Sequence, residues 1–300
     1  MEGSKKRLKG EEMEQQNNSK EIVKKAIRHQ VTAWVPKGEL CLDAEIMRQV
    51  LNCKQIGFAE SYAFVKWLGL DLIVLAAKDT EDIKQWSRHT SLYIFALIDG
   101  AFEQGVNIFG FSSFVAKIMK SEPSVKEFIH QVEKHNLRLI QQLAEQGVDG
   151  IILADDIAGK DRLLLRPVLY RELFLPSLAR QIKVIKDYQL DVFFHSDGNY
   201  LALVHDLIDL GFDGLHCLEQ SSGMDIQSLK EQYGHQLCLW GHLGVADINV
   251  DDRRQEVELK AKIQQLASSS GFILGTTSGL FSGIDIYRLQ KLYTKINPSF

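Results

Sequence analysis

Eight short runs rich in β-branched and aromatic residues alternate with longer amphipathic stretches along most of this chain, and that alternation limits the fold more than any other feature. The runs cover residues 34–40, 71–76, 92–98, 150–154, 191–194, 214–218, 237–240 and 272–274. Buried parallel strands read as near-continuous apolar segments, and parallel neighbours need a crossover helix between them. Two intervening stretches carry strong helical patterns, 124–146 and 170–188. The second opens behind Pro167 and places Leu173, Phe174, Leu178, Ile182, Val184 and Ile185 on one broad apolar face. Gly147 and Gly211 stand where left-handed helix caps are expected, each followed two residues later by an Asp-Gly strand entry. Eight such units predict an α/β chain folded as a single (β/α)8 TIM barrel. An open doubly wound sheet is the alternative. Against it, no G-x-G-x-x-G or G-x-x-x-x-G-K-[ST] follows any strand, and the glycine-rich stretch at 271–279 has the wrong spacing for a phosphate loop.

Three hundred residues at 45% hydrophobic suffice for one large core, so residues 20–300 are expected to form one domain. The alternating charges of residues 1–19 lack the apolar stretch of a signal peptide and predict a disordered leader. A net charge of −4 without a basic stripe argues against nucleic acid as partner. No apolar run approaches the roughly 18 residues of a membrane span. Four cysteines (Cys41, Cys53, Cys217, Cys238) without a C-x-x-C pair point to a reducing, cytoplasmic setting.

Catalytic groups of a barrel come from the C-terminal ends of its strands. Those ends supply Glu39, Asp99, Asp155 with Asp156, His195 with Asp197, Glu219, His242 and the stretch 276–278. Acids dominate and arginine is absent, so the mouth favours a metal or a cationic ligand over a polyanion. His195 and Glu219, at neighbouring strand ends, would hold a divalent metal or divide acid and base work; the alternative is a histidine that merely caps its strand. Asp155 and Asp156 either serve chemistry or bond backbone amides of a turn. His216, of opposite parity to Glu219, is expected to face the helices, and Cys217 to fill the barrel. Of the aromatic cluster after the third strand, Phe102 is the best candidate to line a substrate pocket beside Asp99; the alternative is ordinary helix packing.

Four stretches together resemble the uroporphyrinogen decarboxylase superfamily, which also contains the cobalamin-linked methyltransferases. They are Gly-Val-Asp-Gly-Ile-Ile-Leu-Ala-Asp-Asp (147–156), Arg-Pro-Val-Leu-Tyr-Arg-Glu-Leu-Phe-Leu-Pro (166–176), Phe-Phe-His-Ser-Asp-Gly-Asn (193–199) and Leu-Gly-Phe-Asp-Gly-Leu-His-Cys-Leu-Glu (210–219). The resemblance runs from about Lys20 to Ile296 and implies the TIM-barrel fold. True uroporphyrinogen decarboxylases grip their substrate with an arginine-rich N-terminal motif, which the stretch 35–40 lacks, and place a histidine where this chain has Ser278. The methyltransferase branch holds zinc with a His-x-Cys motif, a distal cysteine and, in some members, an acidic ligand. His195 matches the first ligand and Glu219 stands near the acidic one. Asp197 replaces the first cysteine and Ser278 the second, which implies a harder, oxygen-rich metal site.

The resemblance therefore implies a zinc-dependent methyltransferase moving a methyl group between a small O- or N-methylated substrate and a separate corrinoid protein, and it allows a homodimer. His195, Glu219 and Asp197 are the expected metal ligands. Asp155, Asp156 and Asp197 are the expected catalytic acids, with Asp99, Phe102 and Glu39 binding substrate. Two further readings stay open: a decarboxylase of a tetrapyrrole or smaller substrate working without metal, and a non-catalytic barrel that binds a corrinoid protein or ligand.

Overall fold

The computed structural model describes residues 19–250 and 252–296. Its strands are β1 (Gly38–Glu39), β2 (Leu72–Ala76), β3 (Tyr93–Asp99), β4 (Gly150–Ala154), β5 (Asp191–His195), β6 (Gly214–His216), β7 (Cys238–Leu243) and β8 (Phe272–Thr276). All pair in parallel and in sequence order. Two separate parallel bridges, Lys37 with Leu274 and Leu42 with Leu280, join the segment around the last strand to that around the first, and the Leu274 amide donates to the Pro36 carbonyl at 2.9 Å. The chain is thus an α/β TIM barrel, as expected, and each of the eight runs supplies one strand. The leader expected at residues 1–19 lies, but for Ser19, outside the described residues. Ser19 itself starts the helix Ser19–Ile27, and its hydroxyl donates to Asp71 at 2.7 Å.

Alternation of side chains along each strand divides the core in two. Leu72, Tyr93, Phe95, Ile152, Phe193, Cys238, Trp240 and Ile273 fill the cylinder, while the opposite faces pack under the helices. Large rings fit inside because small residues face them: a Cβ on Gly214 would lie 2.3 Å from the Phe193 ring, and one on Gly150 2.4 Å from Phe95. Truncating Phe193 to alanine in so close-packed an interior costs about 3–5 kcal/mol.

The helix Ser19–Ile27 closes the N-terminal end of the cylinder with Val23, Ala26 and Ile27. Its cations pair with acids that precede or open the strands, Lys20 with Asp149 at 3.0 Å and Arg28 with Asp191 at 2.6 Å. That leaves the C-terminal end as the open one. Gly147 (φ +88°) and Gly211 (φ +93°) cap their helices as the sequence predicted. The pattern at 170–188, however, forms two helices, Pro167–Leu173 and Leu175–Asp187, that meet at Phe174. Pro176 has no N–H to continue the ladder and crowds the turn before it, so the rod breaks. Among the described residues no helix is long and apolar enough to cross a membrane.

Candidate active site

Register brings the strand ends together. Asp99 pairs with Ala154, Ala154 with His195, and His195 with His216, so these residues lie side by side along the open rim. The loops after β4 and β5 then zip to each other. The Ser196 hydroxyl accepts from the Ile157 amide at 3.1 Å, Asp156 Oδ1 from the Asp197 amide at 2.8 Å, and the Gly159 carbonyl from the Asn199 amide at 2.8 Å. Gly198 makes the approach possible: its φ is +79°, and a Cβ there would lie 2.5 Å from the Gly159 carbonyl oxygen.

The zipped loops converge three donors. One ligand atom each from Asp156, His195 and Asp197 falls within 4.8 Å of the others, with His195 Nε2 3.9 Å from Asp156 Oδ1. One imidazole nitrogen and two carboxylates with an open side fit a divalent ion such as zinc, which takes three protein ligands and a free position in catalytic sites. Burial drives the His195 pKa below its ordinary value, against the pull of Asp156 and Asp197, so the ring is neutral and able to donate an electron pair. Asp197 is pushed up by burial and by Asp156.

Behind His195 stands His216, fully buried, with the two Nδ1 atoms 2.8 Å apart. The other nitrogen of His216 is 3.3 Å from the Thr276 carbonyl, and its ring lies against Trp240 at 4.7 Å between centroids. His216 therefore faces the barrel interior and not the helices. Parity counted back from Glu219 misleads because β6 ends at His216, and the backbone beyond it no longer alternates.

The rest of the mouth is acidic, with two lysines. Burial and the nearby Asp156 raise the carboxyls of Asp99 and Glu103, the latter a residue that sequence reading passed over. Lys78 acts on Asp99 in the opposite sense. A cleft lined by Lys160, Asp197, Gly198, Glu219 and Ser222 opens beside the triad. Glu219 lies outside the triad: its two oxygens accept from the hydroxyls of Ser221 and Ser222, each at 2.7 Å, though its charge still reaches Asp197. Cys217, expected as filling, is buried, and burial with the nearby Asp197 and Glu219 charges pushes its thiol up.

Three expected site residues sit behind the mouth. Asp155 is buried and receives the amides of Glu103 (2.6 Å) and Phe102 (3.4 Å), capping the helix Ala101–Phe109; burial lifts its carboxyl to about 7. Phe102 packs among Phe114, Tyr170 and Phe174 at ring distances of 5.9–6.0 Å and is wholly enclosed. Glu39 receives Tyr293 and both the amide and hydroxyl of Thr276, bracing β1, β8 and the helix Ile286–Lys295. His242 is buried with no hydrogen bond to either ring nitrogen among the described residues, and Ser278 is exposed outside the triad.

The family model for uroporphyrinogen decarboxylase (URO-D) matches residues 89–297, more than half of the chain and every strand from β3 onward. The chain belongs to the URO-D family. Comparison with curated protein sequences finds no match. Among solved structures this URO-D barrel is similar to a methyltransferase from Methanosarcina mazei, with a TM-score of 0.73 and 16% identity over 93% of this chain and 98% of that one. It is also similar to a 3-keto-D-glucoside 4-epimerase from E. coli (TM-score 0.57, 13% identity, 87% and 98% covered). A B12-independent methionine synthase from Shewanella sp. W3-18-1 gives 0.54 at 12% identity, with 86% and 92% covered. At such identities the likeness is one of fold.

Proposed function

We propose that this URO-D barrel is a zinc-dependent methyltransferase that moves a methyl group between a small O- or N-methylated substrate and a separate corrinoid protein. The observation that carries the reading is the convergence of Asp156, His195 and Asp197 at the open end of the barrel. The similarity to the Methanosarcina mazei methyltransferase along nearly the whole of both chains supports it. His195, Asp156 and Asp197 would hold the ion, and its charge would offset the like charge that Glu219 sets beside Asp197. Bound there, zinc would supply Lewis acidity toward the heteroatom that carries the methyl group.

The protein's own groups supply the rest. Asp99 and Glu103, whose carboxyls burial and Asp156 raise, can pass a proton to the departing oxygen or nitrogen, a task expected from the sequence of Asp155 and Asp156. Asp155 instead anchors the helix that carries Glu103. The crowded acids favour a neutral or cationic substrate, with Lys78 and Lys160 at the rim to offset them. The open end gives a partner access to the transferred methyl.

A metal-free carboxy-lyase is the second reading, favoured by Asp197, a carboxyl raised by burial beside a neutral histidine. Metal content separates the two. Elemental analysis of wild type and His195→Ala, both purified without chelator, is expected to find near-stoichiometric zinc in the first and none in the second. No metal in either, even after zinc is supplied, would overturn the methyltransferase reading.

A further inference from the structure

We infer that His216 is a positioning residue which fixes His195 in the tautomer whose bare Nε2 faces Asp156 and Asp197. A carbonyl oxygen only accepts hydrogen bonds, so the contact of His216 Nε2 with the Thr276 carbonyl at 3.3 Å places a proton on that nitrogen. His216 is fully buried, and its ring meets His195, Trp240 and that carbonyl, none of them an anion able to sustain an imidazolium. A neutral imidazole carries one proton, so Nδ1 of His216 is bare. It must accept across the 2.8 Å contact, and the proton there belongs to Nδ1 of His195. Nε2 of His195 then faces the mouth, and in the neutral ring it presents its electron pair there.

The arrangement reaches further back. Thr276 is held by Glu39 through its amide and hydroxyl, and Glu39 by Tyr293, so a line of hydrogen bonds runs from the C-terminal helix across the barrel to His195. Groups that orient a metal-bound histidine through its second nitrogen commonly change metal affinity 10–100-fold when removed. The tautomer itself needs no metal. Only the affinity readout below rests on the proposed zinc site.

Long-range nitrogen–proton correlation spectra of imidazole-labelled, metal-free protein test the inference directly. The expected result is a proton on Nδ1 of His195 and on Nε2 of His216. A neutral His195 ring with its proton on Nε2 would overturn it, whatever metal the protein binds. His216→Gln keeps an acceptor and a donor and is expected to preserve the His195 tautomer. Folded His216→Phe is expected to lose it and to weaken zinc binding about 10–100-fold. If His216→Phe instead leaves both tautomer and affinity unchanged, the inference fails. Should the phenylalanine variant not fold, the wild-type and glutamine spectra still decide. Wild type that shows the expected tautomers yet binds no zinc would defeat the metal reading and support this one.

Discussion

The amide of Asp197 donates to Asp156 Oδ1 at 2.8 Å, so the carboxylate supplied by one loop sets the position of the acid supplied by the next. Two carboxylates that would otherwise repel each other are held at one rim by a bond that needs only an acceptor oxygen, not a charge. The Asp156 side chain therefore has two separable functions, loop closure and charge.

Asp156→Asn retains the acceptor and loses the charge. Its melting temperature is expected to stay within a degree or two of wild type, while zinc affinity falls at least tenfold. Asp156→Ala loses both and is expected to cost about 1 kcal/mol in denaturant unfolding as well. Parallel titrations by calorimetry and denaturant would check the pair. An asparagine variant that binds zinc as wild type does would remove Asp156 from the ligand set.

Gly198→Ala is expected to damage the same closure from the backbone side. Its φ of +79° and the 2.5 Å approach to a carbonyl oxygen leave a Cβ no place to go without separating the loops. A loss of about 1–3 kcal/mol, with weakened metal binding, follows from strain of this type. Equilibrium unfolding and zinc titration would measure both, and an unchanged midpoint would contradict the zip.

Burial lifts the Glu39 carboxyl from 4.5 to about 7 in the folded chain. The folded state thus binds more protons than the unfolded between those values. The contribution of this group is complete below about pH 4.5 and is lost as pH rises toward 7. The full difference is about 3 kcal/mol. Glu39→Gln, whose one oxygen can accept from Thr276 while its amide donates to the Tyr293 hydroxyl oxygen, is expected to flatten this part of the stability profile. Unfolding midpoints from pH 5 to 8 should fall less steeply in the variant, and parallel curves would count against the assignment.

Asp155→Ala leaves the buried amides of Phe102 and Glu103 without an acceptor and is expected to destabilise by about 1–2 kcal/mol. Asp155→Asn retains an acceptor and should recover most of that. If both variants instead keep wild-type stability and abolish turnover, Asp155 acts in chemistry and not as a cap.

The barrel was legible because strands such as β4 and β8 are buried on both faces and read as apolar runs, although β1 shrinks to Gly38 and Glu39. His195, Asp156 and Asp197 were legible as rim residues because they stand within three residues of such a run, although Asp156 was expected as a catalytic acid and not as a ligand. The side-chain directions of Glu39 and His216 were not, since a period of two cannot be counted on a strand of two or three residues or carried past its end. Phe102 and Glu103 are adjacent on one helix turn. Only the packing of that helix decides that the phenyl ring goes under Tyr170 while the carboxyl stays near Asp156. Glu219 stood near enough in sequence to be taken as a ligand, but two serine hydroxyls hold its oxygens.

The other neighbours of the cylinder pair in ladders, whereas its seam is closed by separate bridges, Leu42 with Leu280 and, nearer the N-terminal end, the joint of Lys37 with Leu274. Thr276, whose carbonyl holds His216, sits two residues beyond that joint on β8. Loosening of the seam would reach this carbonyl through β8, whereas the three donors are tied to β4 and β5 on another part of the wall. A loosened stave could thus disarm His195 while every group that meets the substrate stays in place.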